Sequence, residues 1–192
     1  KENKYRGEKY TREIYEYTNH QAGATLWYHD HAIGITRLNV YAGLAGFYLI
    51  RDFLDEKLNL PKGEYEIPIL IQDKTFNKDG SLFYPDNSTP PVDFPAPCTP
   101  SFFFGNTLVV NGKIWPYIEV EPRKYRFRIL NGSNNRSYEL RLNNGGEFHQ
   151  IGTDLGLMEH SVKLQSFMLE PAERIDLIID FSEYKGEEII LL

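Results

Sequence analysis

Apolar and polar residues alternate along this chain in short runs, and turn-forming residues separate the runs. In Lys124-Tyr125-Arg126-Phe127-Arg128-Ile129, the residues Tyr125, Phe127 and Ile129 fall on one face and the two arginines on the other. That period of two predicts a strand with one apolar face. Tyr138, Leu140 and Leu142 repeat the pattern, as do Ile175, Leu177, Ile179 and Phe181. Thr107-Leu108-Val109-Val110 runs into Asn111-Gly112, a dipeptide that tolerates positive φ and predicts a two-residue hairpin turn. Tyr65 to Ile71 reads as another strand, with Pro68 marking an edge or a bulge because proline cannot donate to a ladder. Asn77-Lys78-Asp79-Gly80 predicts a turn into Ser81-Leu82-Phe83-Tyr84. Short strands between turns predict an all-β chain, a sandwich or a barrel.

The first fifty residues are patterned differently. Glu13 to Tyr17 alternates like a strand, Asn19 to Gly23 reads as a turn, and Ala24 to His31 is rich in strand formers. Between Ala32 and Ala42, the residues Ile35, Leu38 and Ala42 take helical spacings and predict a short helical turn. Gly43 to Ile50 returns to a buried strand. Asp52 to Gly63 is charged and closes on Leu60-Pro61-Lys62-Gly63, the clearest linker in the chain. Pro85 to Pro100 is proline-rich, without periodicity, and predicts a long surface connection.

Composition narrows the function classes. The 192 residues suffice for a sizeable core, and the aromatic share leans toward β structure. A formal net charge of −6 and the lack of a basic stripe argue against nucleic acid as a partner. The longest apolar runs, such as Leu44 to Ile50, are too short to span a bilayer. Cys98 is the single cysteine, which excludes an internal disulfide. The polar start, the missing initiator Met and the strand-like end at Glu188 to Leu192 suggest a piece of a longer protein.

Chemistry concentrates in Trp27-Tyr28-His29-Asp30-His31. On a strand, residues i and i+2 share a face, and their Cα atoms lie roughly 6.5–7 Å apart. His29 and His31 can therefore reach one metal, or each can hold one metal of a close pair. Imidazole suits copper, zinc, iron and nickel. Trp27 shares that face and can wall the site, whereas Asp30 points the other way. Spacing alone leaves open two ordinary histidines at a strand end. Two ligands are also too few for a closed site. His20, His149 and His160 are isolated in polar or turn-like contexts and read as surface or loop histidines.

A resemblance sharpens this. Leu26-Trp27-Tyr28-His29-Asp30-His31, then Thr36-Arg37 and Ala42-Gly43-Leu44-Ala45-Gly46, resembles the second copper motif of multicopper oxidases, most closely the bacterial spore-coat laccases and bilirubin-oxidase-like enzymes. The likeness continues through Leu108 to Pro116, Glu121 to Asn131 and Pro171 to Phe181, and so covers nearly the whole chain. It implies cupredoxin-like Greek-key β-sandwich domains. Residues 1–52 would end the first, 53–63 would link, and 64–192 would form most of the second, which carries no copper ligand. It implies His29 and His31 as ligands to the type-3 copper pair of a trinuclear cluster, one to each copper. The partners implied are dioxygen, a small phenolic or aromatic reductant and the remaining domains of the same polypeptide. The location implied is bacterial, in the spore coat or outside the cytoplasm.

Three family motifs are missing: an upstream His-x-His, a His-rich segment of the third domain, and the His-Cys-His segment that builds the type-1 copper. Cys98 lies between Pro97 and Thr99 with no histidine nearby, and reads as a loop thiol or half of a bridge to sequence outside the chain. The 192 residues alone are expected to be inactive. Rival readings are a metallo-oxidase of the same family, weakly disfavoured by only two methionines, Met158 and Met168, a copper-free cupredoxin-fold binding scaffold, which the intact His29-x-His31 argues against, and a two-domain copper reductase. The sequons at Asn87, Asn131 and Asn135 are weak motifs.

Overall fold

The computed structural model describes residues 14–85 and 102–192; Glu13, Asn87, Cys98 and most of the proline-rich stretch lie outside them. The elements run β1 (Ala24–His29), α1 (Thr36–Ala42), β2 (Ala45–Ile50), α2 (Phe53–Lys57), β3 (Glu66–Lys74), β4 (Thr107–Val110), β5 (Lys113–Ile114), β6 (Lys124–Asn131), β7 (Tyr138–Arg141), β8 (Phe148–Thr153), β9 (Gly156–Leu164), β10 (Ser166–Leu169) and β11 (Arg174–Asp180). Among the described residues, a seven-stranded sheet has the order β5-β4-β3-β6-β11-β8-β9. β3 and β6 are parallel; the other neighbours are antiparallel. β7 and β10 pair as a second layer, and β1 and β2 form a separate ribbon. No helix among the described residues is long and apolar enough to cross a membrane.

The alternation produces the two layers. Tyr125, Phe127 and Ile129 of β6 and Ile175, Leu177 and Ile179 of β11 meet Tyr138 and Leu140 of β7 and Phe167 and Leu169 of β10 in one core. Phe148 at its centre is fully buried and lies edge-on to Phe167, with ring centroids 5.1 Å apart. The chain reaches this arrangement by crossing between layers: β6 and β11 are sheet neighbours although β7 and β10 of the other layer intervene in sequence. Asn111 and Gly112 sit at φ 49° and 79° between β4 and β5, so the hairpin turn is the primed kind that the dipeptide predicts. The β4 ladder on β3 begins at Ile71, which leaves Pro68 paired with β6 alone, an edge position.

One strand expectation is corrected. Ile14 to Tyr17 form no strand and are exposed, because a strand needs a neighbour for its backbone groups and the nearby ladder among the described residues holds only β1 and β2. The turn at Asn77 to Gly80 leads into Ser81 to Tyr84, which contributes one isolated bridge, Phe76 to Leu82. Asn131 is fully buried, and its amide donates to the carbonyls of Arg136 (2.7 Å) and Leu169 (2.9 Å), so its sequon is spent on internal hydrogen bonds.

The polar face of β6 is buried too. Arg126 and Arg128 are 1% and 2% exposed. Arg126 donates twice to Asp176 of β11, at 2.9 and 2.6 Å, and its Nη1 lies 2.8 Å from Asp55 of α2. Arg128 donates to Glu66 of β3 at 2.7 Å and to the Thr25 hydroxyl of β1 at 2.6 Å. Arg51 donates to Glu66 from the rim. The charged stretch expected to be a linker thus holds α2, whose start is capped by Asp52 accepting from Asp55 N at 2.9 Å and from Gly23 N at 2.7 Å.

Stripping one partner from such a cluster leaves a buried charge uncompensated, which costs about 3–5 kcal/mol. Asp176→Ala is therefore expected to lower unfolding stability by that amount in denaturant titration; a loss below about 1 kcal/mol, the scale of an exposed pair, would contradict the burial. Burial would raise the Glu66 carboxyl, but the hydrogen bonds from Arg128 and Arg51 outweigh it and hold the group below the usual carboxylate range. Its stabilisation is complete above the unfolded value of about 4.3 and is lost as pH falls through the lower folded value. The denaturation midpoint of Glu66→Gln should accordingly vary less with pH below about 4.3 than that of the parent; equal slopes would contradict this.

Candidate metal site

β1 and β2 pair in register from Ala24 with Ile50 to His29 with Ala45. The strand ends at His29 because Asp30 turns the chain. Its side chain accepts from Ala32 N at 3.0 Å, and its backbone N–H donates to Leu44 O at 3.2 Å. The Thr36 hydroxyl then donates to Ala32 O at 2.9 Å as α1 begins. Gly43 ends α1 at φ 111°, a conformation that suits glycine, and its N–H donates to Asn39 O and Val40 O. Local hydrogen bonds therefore fix both ends of the loop that carries His31.

Both histidines stand close together. The rings of His29 and His31 have centroids 4.1 Å apart, and Trp27 stacks on His29 at 4.4 Å. His29 is half-buried and His31 exposed. The expected sharing of one face by Trp27, His29 and His31 is observed, although His31 lies just past the strand. His29 Nδ1 lies 2.8 Å from the carbonyl oxygen of Asp30. A carbonyl only accepts, so Nδ1 carries the proton, and the Nε2 lone pair is left free to bind a metal. The carboxylate of Asp30 is occupied in its own turn.

Among the described residues, no third His, Cys, Asp or Glu joins this pair into a metal-holding group. His20 and His160 are exposed, and His149 lies on β8, apart from the pair. An open groove of about 760 Å³ along the ribbon is lined by Trp27, Tyr28, Tyr48 and His20, and by neither His29 nor His31.

Anchors on both flanks hold the loop against the sandwich. Before it, Thr25 receives hydrogen bonds on its hydroxyl from Arg128 and on its carbonyl from Arg174 at 2.8 Å. After it, Gln72 donates to Val40 O at 3.0 Å and Asn134 to Arg37 O at 3.0 Å. The Tyr41 hydroxyl donates to Phe83 O and accepts from Thr75 N, both at 2.7 Å. Burial pushes the Tyr41 phenol up, so it stays protonated and keeps donating. Reasoning from sequence missed Asp55, Gln72 and Tyr41 as supports. Only Asp55 carried a signal, the capping spacing from Asp52.

Comparison with known proteins places this geometry in context. The chain is 59% identical over 186 residues to the laccase of Bacillus subtilis (strain 168), a match spanning 96% of this chain and 36% of that protein. It is also 59% identical to the laccase of Bacillus stratosphericus, over 96% of this chain and 37% of that one. The crystal structure of a laccase from Pediococcus acidilactici superposes with a TM-score of 0.77 at 32% identity, covering 90% of this chain and 36% of the other. No family model matches the chain. The chain thus spans little more than a third of the length of these relatives.

The Asp30 carbonyl makes the His29 tautomer measurable. In metal-free protein with the ring neutral, nitrogen-15 correlation spectra should show the proton on Nδ1 and a bare Nε2. A proton on Nε2 would contradict the hydrogen bond.

Proposed function

This chain belongs to the multicopper oxidases and has their cupredoxin-like β-sandwich fold, and from that premise we propose that the protein couples one-electron oxidation of small phenolic or related aromatic compounds to reduction of dioxygen to water. The observation that carries this reading is the paired imidazoles, 4.1 Å apart, in a stretch shared with laccases. We take His29 and His31 as ligands of a type-3 copper pair, one ring for each copper.

The residues present fit that metal. Imidazole suits copper, and neutral rings with a free nitrogen are the form that binds. Two donors fit a share of a centre and not the whole of one, so further ligands come from other parts of the protein. Copper bound by these rings would supply one-electron redox chemistry. The chain's own work is positional. The Asp30 carbonyl aims the His29 ring, Trp27 stacks on that ring, and the flanking anchors keep the loop at one height on the sandwich. Residues 1–52 belong in this reading to one cupredoxin-like domain and 64–192 to the next. The stretch 53–63 joins them, held in place by Asp55.

His29→Ala in the full-length protein tests the assignment. Copper content should fall, and oxygen uptake with a phenolic reductant should drop more than about 100-fold, since even partners that only orient a metal ligand approach that loss. Unchanged circular dichroism is expected, because His29 stands at the edge of the ribbon. Normal copper content and oxygen uptake would refute the assignment.

A further inference from the structure

Between the ribbon and the polar face of the large sheet lies a cavity of about 10 Å³, lined by Gly23, Thr25, Asp55, Arg126, Thr153 and Asp176 among others. Its size admits one water molecule and nothing larger. One polar atom of that lining is unsatisfied. Asp55 Oδ1 meets Arg126 at 2.8 Å, but Oδ2 is buried and makes no hydrogen bond among the described residues. Arg51 Nε, 4.0 Å from Oδ2, is beyond hydrogen-bonding distance.

We propose that this cavity is a binding site for a single internal water, which donates a hydrogen bond to Asp55 Oδ2. A carboxylate oxygen left bare in a low-dielectric setting is costly, and a bridging water is the smallest donor able to relieve it. Charge decides the kind of guest. Arg126 and Arg128 repel a cation, and Asp55 and Asp176 repel an anion, whereas a dipole suits both. The Thr25 hydroxyl accepts from Arg128 and still has its own proton to give, so the site offers the water an acceptor and a donor. Backbone helps keep the space open. A Cβ on Gly156 would come within 2.8 Å of Gly23 O, and φ there is 141°, so no side chain grows in to fill it. The water would join β1, α2 and the sheet, four residues along β1 from His29.

Near-atomic diffraction from the full-length protein, crystallised with rubidium chloride in place of the sodium salt, tests this. The expected result is one water-sized peak within hydrogen-bonding distance of Asp55 Oδ2, at full occupancy, with no anomalous signal at the rubidium edge. An anomalous peak there would overturn the proposal in favour of a cation. An empty cavity in a map that shows ordered water elsewhere, or a carboxylate turned so that Oδ2 bonds Arg51, would overturn it outright.

Discussion

Three guanidinium groups and three carboxylates meet on the face of the large sheet turned away from the apolar core. Arg51, Arg126 and Arg128 balance Asp55, Glu66 and Asp176. Removing a charge from water costs several kcal/mol even after the protein relaxes, so β6 can bury two arginines only if acids arrive with them. Glu66 and Asp176 come from the strands on either side of β6. Asp55 comes from α2, and the Thr25 hydroxyl from β1. The sheet therefore closes its polar face only with the first part of the chain laid across it. An apolar face would have packed as tightly, but without directional bonds to set the height and angle of the covering layer.

That requirement bears on the candidate metal site. The strand that supplies Thr25 to the cluster ends four residues later at His29, and β1 carries the position of one to the other. On the far side of the loop, Gln72, Asn134 and the backbone around Thr75 and Phe83 grip α1. The imidazoles sit between two fixed points, both on the sandwich. The sandwich thereby holds in place the loop that carries His29 and His31. The hydrogen bond from His29 to Asp30 adds the finest adjustment, choosing which ring nitrogen is offered.

Much of this was readable from residue order, for reasons that differ by element. The strands β6 and β11 declared themselves because each has one wholly apolar face, and the Asn111-Gly112 turn because its backbone demands residues that accept positive φ. The His29-x-His31 pair was visible because strand periodicity alone brings i and i+2 together. Whether Arg126 and Arg128 make solvated pairs or pairs between domains was left open by their own strand. An alternating strand reads as apolar inside and polar outside, and nothing in its own sequence reveals a second layer over the polar face. Asp55 showed only its capping spacing from Asp52, and its place beside Arg126 appeared with the fold. Ile14 to Tyr17 failed in the opposite direction: alternation without a neighbouring strand made no strand.

The central claim is that His29 and His31 each hold a copper. Anomalous diffraction at the copper edge from crystals of the copper-loaded full-length protein tests it most directly. Two separate peaks are predicted, one within bonding distance of His29 Nε2 and the other within bonding distance of a ring nitrogen of His31. Copper peaks elsewhere in the protein with neither imidazole in bonding contact would contradict it.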